Sequence, residues 1–235
     1  MLNLDSNIQF IKGVGEKRAK LFNSLGIFCV DSLIHFYPRK YEDWSASKKL
    51  EAVKSGETVS IKATLITPVK EAMIRRGLTL FKCKFSDGKN VISVTIFNNK
   101  YLAKSLRIYE DYYLYGKIEK SLLNFSMNSP KIEKAENILA IQPVYPAKEK
   151  LTSRSISKIM KTALDELGEI EETLDDEIMQ KYSLISLDKA IRNIHFPNSA
   201  DDYLPARKRL IFEELLTLQL GLLKLKSNKK SETAL

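Results

Sequence analysis

Cysteine, histidine and tryptophan are scarce in this 235-residue chain, at two, two and one. Cys29 and Cys83 are too few for a disulfide framework and too far apart for a zinc knuckle. His35 and His195 sit in no Cys/His cluster, so the sequence offers no metal-ligand constellation and no cofactor site. The acidic stretch from Asp165 to Glu177 reads as a solvated helix face rather than a metal site. No apolar run reaches the roughly 18 residues of a membrane span. Met1–Ser6 has no basic segment leading into an apolar core, so it does not read as a secretory signal. With so few cysteines, a cytoplasmic setting is expected, with no membrane partner. A phosphate-cradling Walker A loop is also missing. Gly88-Lys89 and Gly116-Lys117 are the only Gly-Lys pairs, Asn90 and Ile118 follow them, and no glycine stands five residues upstream of either.

What the chain does have is positive charge. Lys and Arg number 38 against 29 Asp and Glu, a net +9 with a pI near 9.3. The excess is confined to residues 1–150, which hold 25 basic and 15 acidic side chains, while the remainder is nearly balanced. An anionic partner, nucleic acid first, is expected to meet that portion. The alternative is a basic surface with no ligand. Hydrophobic residues at 44% and charged residues at 29% are those of an ordinary globular protein.

The hydrophobic period changes twice along the chain. Residues 11–27 read as turn, helix, turn. Gly13 and Gly15 supply positive φ to the first turn, Ala19 and Phe22 lie at helical spacing, and Gly26 ends the helix. Asp31 is the expected N-cap of a short helix over 32–36, and Tyr37–Trp44 an extended connector. From about 50 to 145 alternation takes over. Strands are predicted over 59–65, 79–85, 91–97, 112–119 and 138–145, with a short helix over 101–106 between the third and fourth. Five strands with a helix there describe an OB-fold, a small barrel that commonly binds oligonucleotides. Beyond Pro146 the helical period returns, over 155–167, 174–182 and 186–194, with Ser186 as an N-cap. A long helix then runs from Pro205 to Leu225, and its leucines from Leu215 onward are too apolar for a free surface. The expected fold is α+β, a five-stranded OB-fold β-barrel flanked by an N-terminal helix-hairpin-helix-like segment and a C-terminal helical segment. The expected boundaries are 1–48, 49–147 and 148–235.

Candidate contacts with nucleic acid follow from this layout. Lys12, Gly13, Gly15, Lys17 and Arg18 resemble a hairpin turn whose backbone N–H groups approach a phosphate while the cations add charge; a plain Gly-rich turn is the alternative. Lys70, Arg75 and Arg76 flank an expected loop between the first two strands, where OB-folds grip single strands. Phe97 and Tyr101, with Asn98, Asn99 and Lys100 between them, could stack on bases at a barrel edge or lie in the core. Tyr109, Tyr112, Tyr113 and Tyr115 are expected to pack within strands.

The ordered segments Lys12-Gly-Val-Gly-Glu-Lys-Arg18, Asp31-Ser-Leu-Ile-His-Phe-Tyr-Pro-Arg-Lys-Tyr-Glu-Asp43, Phe85-Ser-Asp-Gly88, Phe97-Asn98, Tyr115-Gly-Lys117, Pro143-Val-Tyr-Pro146, Ala190-Ile-Arg-Asn-Ile-His-Phe-Pro197 and Ala206-Arg-Lys-Arg-Leu-Ile-Phe-Glu-Glu214 resemble the N-terminal region of the RecG family of bacterial branched-DNA helicases. The resemblance spans essentially the whole chain. It implies an OB-fold wedge domain ahead of two RecA-like motor domains, which this sequence does not contain. ATP and Mg would then belong to the parent protein and not to this chain. It also implies binding to replication forks, Holliday junctions and single-stranded DNA, in fork regression, recombination and repair. The apolar helix over 215–225 would run toward the chain's own motor domains. Phe97 and Tyr101 match the positions whose rings stack on unpaired bases at the branch. Some members carry a second aromatic just before the first, where this chain has Ile96. The alternative is a stand-alone OB-fold adaptor for single strands or protein partners, with no motor.

Overall fold

The computed structural model describes residues 2–44, 46–121, 124–137, 141–148 and 150–232, the last six of these by backbone only. Its elements are α1 (Glu16–Asn23), α2 (Val30–Ile34), β1 (Lys40–Asp43), β2 (Thr58–Leu65), β3 (Lys70–Arg75), β4 (Leu78–Ser86), β5 (Val91–Phe97), α3 (Lys100–Ser105), β6 (Asp111–Lys120), β7 (Phe125–Asn128), β8 (Lys131–Lys134), β9 (Ile141–Val144), α4 (Ser153–Glu166), α5 (Asp176–Tyr182), α6 (Leu187–His195) and α7 (Ala200–Glu232). They divide into two compact units, Met1–Glu42 with Pro143–Leu235, and Asp43–Gln142. Among the described residues no helix is long and apolar enough to cross a membrane.

The second unit is a five-stranded barrel. β2 pairs with β4, β4 with β5, β5 with β7, β7 with β6, and β6 back with β2, so the ring closes. β5 and β7 run parallel, and every other pair in the ring is antiparallel. Alternation along the strands drives closure. Ile61, Ala63 and Leu65 of β2, Phe81, Cys83 and Phe85 of β4, Ile92, Val94 and Ile96 of β5, and Leu114 and Ile118 of β6 all face one core. Burial pushes the Cys83 thiol up to about 12, so it behaves as a small apolar group. α3 lies between the third and fourth barrel strands, as expected, with Asn99 as its N-cap accepting from the Leu102 N–H at 3.0 Å.

The fifth barrel strand is not the one the sequence predicts. It is β7, whose Met127 lies opposite Val94 and Ile118 in the core. The apolar segment expected in that place contains β9, which pairs with β1 outside the barrel; residues 138–140 lie outside the described set. β8 adds to the open side of β6, and β3 to β4.

The helical unit packs α1, α2, α4 and α6 around Ile8, Phe22, Leu33, Ile156, Met160 and Ile191. Gly13 takes φ +93°, as the turn requires, but Gly15 is extended at φ −87° and serves as the N-cap of α1. Asp31 is not a cap. α2 starts one residue before it, with Cys29 at the N-cap, because the Ser32 hydroxyl draws in the backbone N–H groups of Phe28 and Cys29 at 2.9 and 3.0 Å. α7 begins five residues ahead of Pro205, at Ala200, with Ser199 accepting from the Asp202 N–H.

Two buried polar groups fix this unit. His195 is fully buried between the Ile34 carbonyl and the Tyr145 hydroxyl, at 2.7 and 2.9 Å. A carbonyl can only accept, so Nε2 carries the proton and Nδ1 accepts from Tyr145. Arg209 is also fully buried and reaches Glu172 at 2.6 Å and Glu213 at 2.7 Å. At the end of α4, the Arg192 guanidinium donates to the carbonyls of Leu164 (2.7 Å) and Gly168 (3.1 Å), groups that a helix terminus leaves without partners.

Candidate nucleic-acid interface

Phe97 ends β5 and Tyr101 stands in the first turn of α3. Neither ring is core: Phe97 is 42% exposed and Tyr101 89%. Ile96 lies opposite Phe81 of β4 and is buried with it in the barrel core. The period-2 alternation therefore sends Phe97 outward on the face opposite to Ile96.

Cross-strand register shows which residues share that outer face. Phe97 lies opposite Leu80 of β4, which lies opposite Ala72 of β3. One row further, Lys70, Lys82 and Thr95 line up. Lys70 and Lys82 are thus the nearest cations along the face that carries the Phe97 ring, and both are exposed. Lys82 escapes a reading of the sequence because its relation to Phe97 depends on strand pairing. Lys100 is exposed beside Tyr101 and pairs with Glu71 of β3 at 3.8 Å.

Lys70 and Arg75 are not loop residues. They begin and end β3, which forms a hairpin with β4 closed by Arg76 and Gly77. The expected loop is a hairpin because β3 bonds along the edge of β4, and its exposure on both faces erases the apolar alternation that marks a barrel strand. Arg75 and Arg76 are both exposed at its tip. Gly77 takes φ +84° there.

One residue ties this hairpin to the aromatic turn. Asn98 adopts a left-handed φ of 50°, accepts from the Thr79 N–H at 2.8 Å and donates to the Gly77 carbonyl at 3.0 Å. Its own N–H donates to the Thr79 carbonyl at 2.9 Å. Asn suits this backbone, since its short amide bonds locally. The Asn-Asn pair ahead of a helix is the only sequence signal for it.

The Gly-rich turn of the helical unit belongs to the other body. Lys12, Gly13, Gly15, Lys17 and Arg18 are exposed, and the Arg18 guanidinium donates to the Gly13 carbonyl at 2.6 Å. That bond stabilises the turn and takes up part of the Arg18 donor set. Tyr109 is no strand residue: it is 81% exposed at φ 66° in the loop before β6. Tyr112 does pack, edge-on to Phe85, with its hydroxyl accepting from the Arg107 N–H. The α7 leucines Leu215, Leu218, Leu220, Leu222, Leu223 and Leu225 are each more than half exposed, while Leu216 is half-buried.

Charge separates the bodies. The barrel unit carries 17 Lys and Arg against 10 Asp and Glu, so it holds most of the net positive charge. Among the described residues no cluster of three or more His, Cys, Asp or Glu could hold a metal ion.

Comparison with known proteins agrees with this architecture. The chain is 32% identical over 234 residues to the ATP-dependent DNA helicase RecG of Streptococcus pneumoniae, covering 97% of this chain and 34% of the relative. It is 31% identical over 220 residues to the RecG of Borreliella burgdorferi, covering 89% and 32%. A solved structure described as RecG bound to a three-way DNA junction superposes with a TM-score of 0.82 at 26% identity, covering 98% of this chain and 32% of that one. The chain thus spans about a third of the length of these relatives. The family model for the RecG wedge domain matches residues 7–170, well over half of the sequence, and the chain belongs to that family.

Proposed function

We propose that this chain is the branch-binding wedge of an ATP-dependent DNA helicase, and that its barrel meets forks and Holliday junctions where the arms part. The observation that carries the reading is the pair of exposed rings, Phe97 and Tyr101, at a strand-to-helix junction in a basic barrel. Exposed rings accept any base by stacking, and cations beside them hold phosphates without reading sequence. Lys70, Arg75, Arg76 and Lys82 are the cations for this role, with Lys100 available once it leaves Glu71. Lys12, Lys17 and Arg18, with the backbone around Gly13 and Gly15, form a second phosphate contact in the helical unit.

In this reading the wedge is passive. ATP and Mg chemistry belongs to motor domains outside these 235 residues, which pull duplex onto the wedge during fork regression, recombination and repair in the cytoplasm. The apolar stretch of α7 faces those motor domains. The isolated chain therefore hydrolyses no ATP.

The test is a competition titration. A labelled fork of arbitrary sequence is bound by the chain and challenged with linear duplex or single strand of the same sequence. The fork should outcompete duplex whatever its sequence. Binding confined to one duplex sequence, or no DNA binding at all, overturns the reading.

A further inference from the structure

We infer that the β3–β4 hairpin is a second base-contacting element at the branch, with Met73 and Ile74 bearing on the terminal base pair and Asn98 as the residue that positions it. This rests on the branch-binding reading above and adds a new contact to it.

β3 lies outside the barrel ring and pairs only with β4. Met73 is 77% exposed and Ile74 58%. A solvated edge strand ordinarily carries charge rather than two adjacent apolar side chains, because such an edge invites aggregation. A register shift between Met73 and Arg75 leaves Ile74 without a cross-strand partner, and a bulge of this kind re-aims a side chain.

The hairpin is fixed in direction. Glu71 and Met73, two residues apart, share one face, and Glu71 reaches Lys100 of α3. Met73 therefore stands on the side of the hairpin that looks toward α3, where Tyr101 is exposed. Ala72 shares the opposite face with Leu80 and Phe97. Asn98 bonds to Gly77 and Thr79, so the hairpin tip and the Phe97–Tyr101 turn are held as one piece.

Charge selects the occupant. Lys70 begins the strand that carries the apolar pair, Arg75 and Arg76 follow the pair at the tip, and all three are exposed. Cations around an apolar wedge suit DNA, in which phosphates flank a stack of apolar faces. A base pair at an open branch has already lost one stacking neighbour, so a side chain can rest on its bare face with little further unstacking.

The experiment uses the 235-residue chain and two forks carrying 2-aminopurine, one at the base beside the branch and one deep within an arm. The wild type should change emission from the branch probe and leave the arm probe unchanged. A Met73→Ser/Ile74→Ser variant should bind the fork at least several-fold more weakly, with the same salt dependence, and lose the branch-probe change. Asn98→Gly should do the same. Glycine keeps the left-handed backbone while removing both side-chain bonds, and an unchanged melting temperature would show that the fold is intact. Variants that retain the full branch-probe change overturn the hairpin inference alone. Variants that keep it but lose binding to anionic lipid vesicles would assign the apolar pair to a membrane and overturn it too. A wild type that binds neither fork overturns the reading beneath.

Discussion

Removing the Tyr101 ring should separate binding from stability. At 89% exposure the side chain contributes little burial, so Tyr101→Ala should change folding stability by no more than about 0.5 kcal/mol. Phe97 has just over half of its surface out of water. A fully buried Phe contributes about 1.5–3 kcal/mol, so Phe97→Ala should cost about 1–1.5 kcal/mol of stability. If both rings stack on bases, each substitution should weaken fork binding by about 1–3 kcal/mol, roughly 5- to 150-fold in dissociation constant. Phe97→Leu divides the two roles, since leucine keeps an apolar contact with Leu80 but offers no π-face. It should retain most of the stability and lose most of the affinity. Fluorescence anisotropy against a labelled fork, with the folded fraction checked by thermal melting, measures both. Fork affinity within twofold of wild type for a folded Tyr101→Ala chain would refute the stacking argument.

Other consequences are independent of DNA. Burial lowers the His195 pKa to about 4 from an unfolded value near 6.5, so the unfolded chain takes up the proton first. Stability should be flat above about pH 7.5 and fall by about 2 kcal/mol between pH 7.5 and 5; denaturant melts showing no such slope, or the same slope in His195→Gln, would contradict this. Glu172→Ala leaves the buried Arg209 with one carboxylate and should cost about 3 kcal/mol, read as a shift in denaturation midpoint. Gly13→Ala should destabilise by about 1–2 kcal/mol, since its φ is positive and a Cβ would meet Ile159 Cδ1 at 3.3 Å. Gly15→Ala, with an extended backbone and open space around it, should be within about 0.5 kcal/mol of wild type. Equal costs at the two glycines would remove the conformational argument.

The parts of the fold that were legible in the sequence are those where one face is buried. β2, β4, β5 and β6 alternate clearly because their inner residues share one core, and the length of chain between β5 and β6 leaves room for α3. β7 was not legible. It has four residues, of which only Met127 is fully buried, and its parallel pairing with β5 is set by the tertiary structure. The more apolar segment ending at Tyr145 drew the strand assignment instead, although its β9 portion bonds with β1. The hairpin strand β3 was hidden for the opposite reason, since both of its faces meet water. At the interface, Phe97 and Tyr101 were identifiable from residue type and spacing, but their exposure followed only from register against β4 and the start of α3. Lys82 and Asn98 join the candidate site through cross-strand geometry and a left-handed backbone, neither of which composition or spacing records.

The central claim, that a basic barrel holds branched DNA through phosphates and base faces, is tested most directly by the salt dependence of fork binding. Each phosphate neutralised contributes a slope of about −0.7 to −0.9 in log affinity against log salt. Lys70, Arg75, Arg76 and Lys82 together contribute about −3 to the slope, the Lys12, Lys17 and Arg18 contact makes it steeper, and Arg75→Ala should make it shallower by about one. The fork should remain preferred over linear duplex throughout the titration, because base stacking survives added salt. A flat titration, or a fork preference that vanishes as the salt rises, would contradict the account.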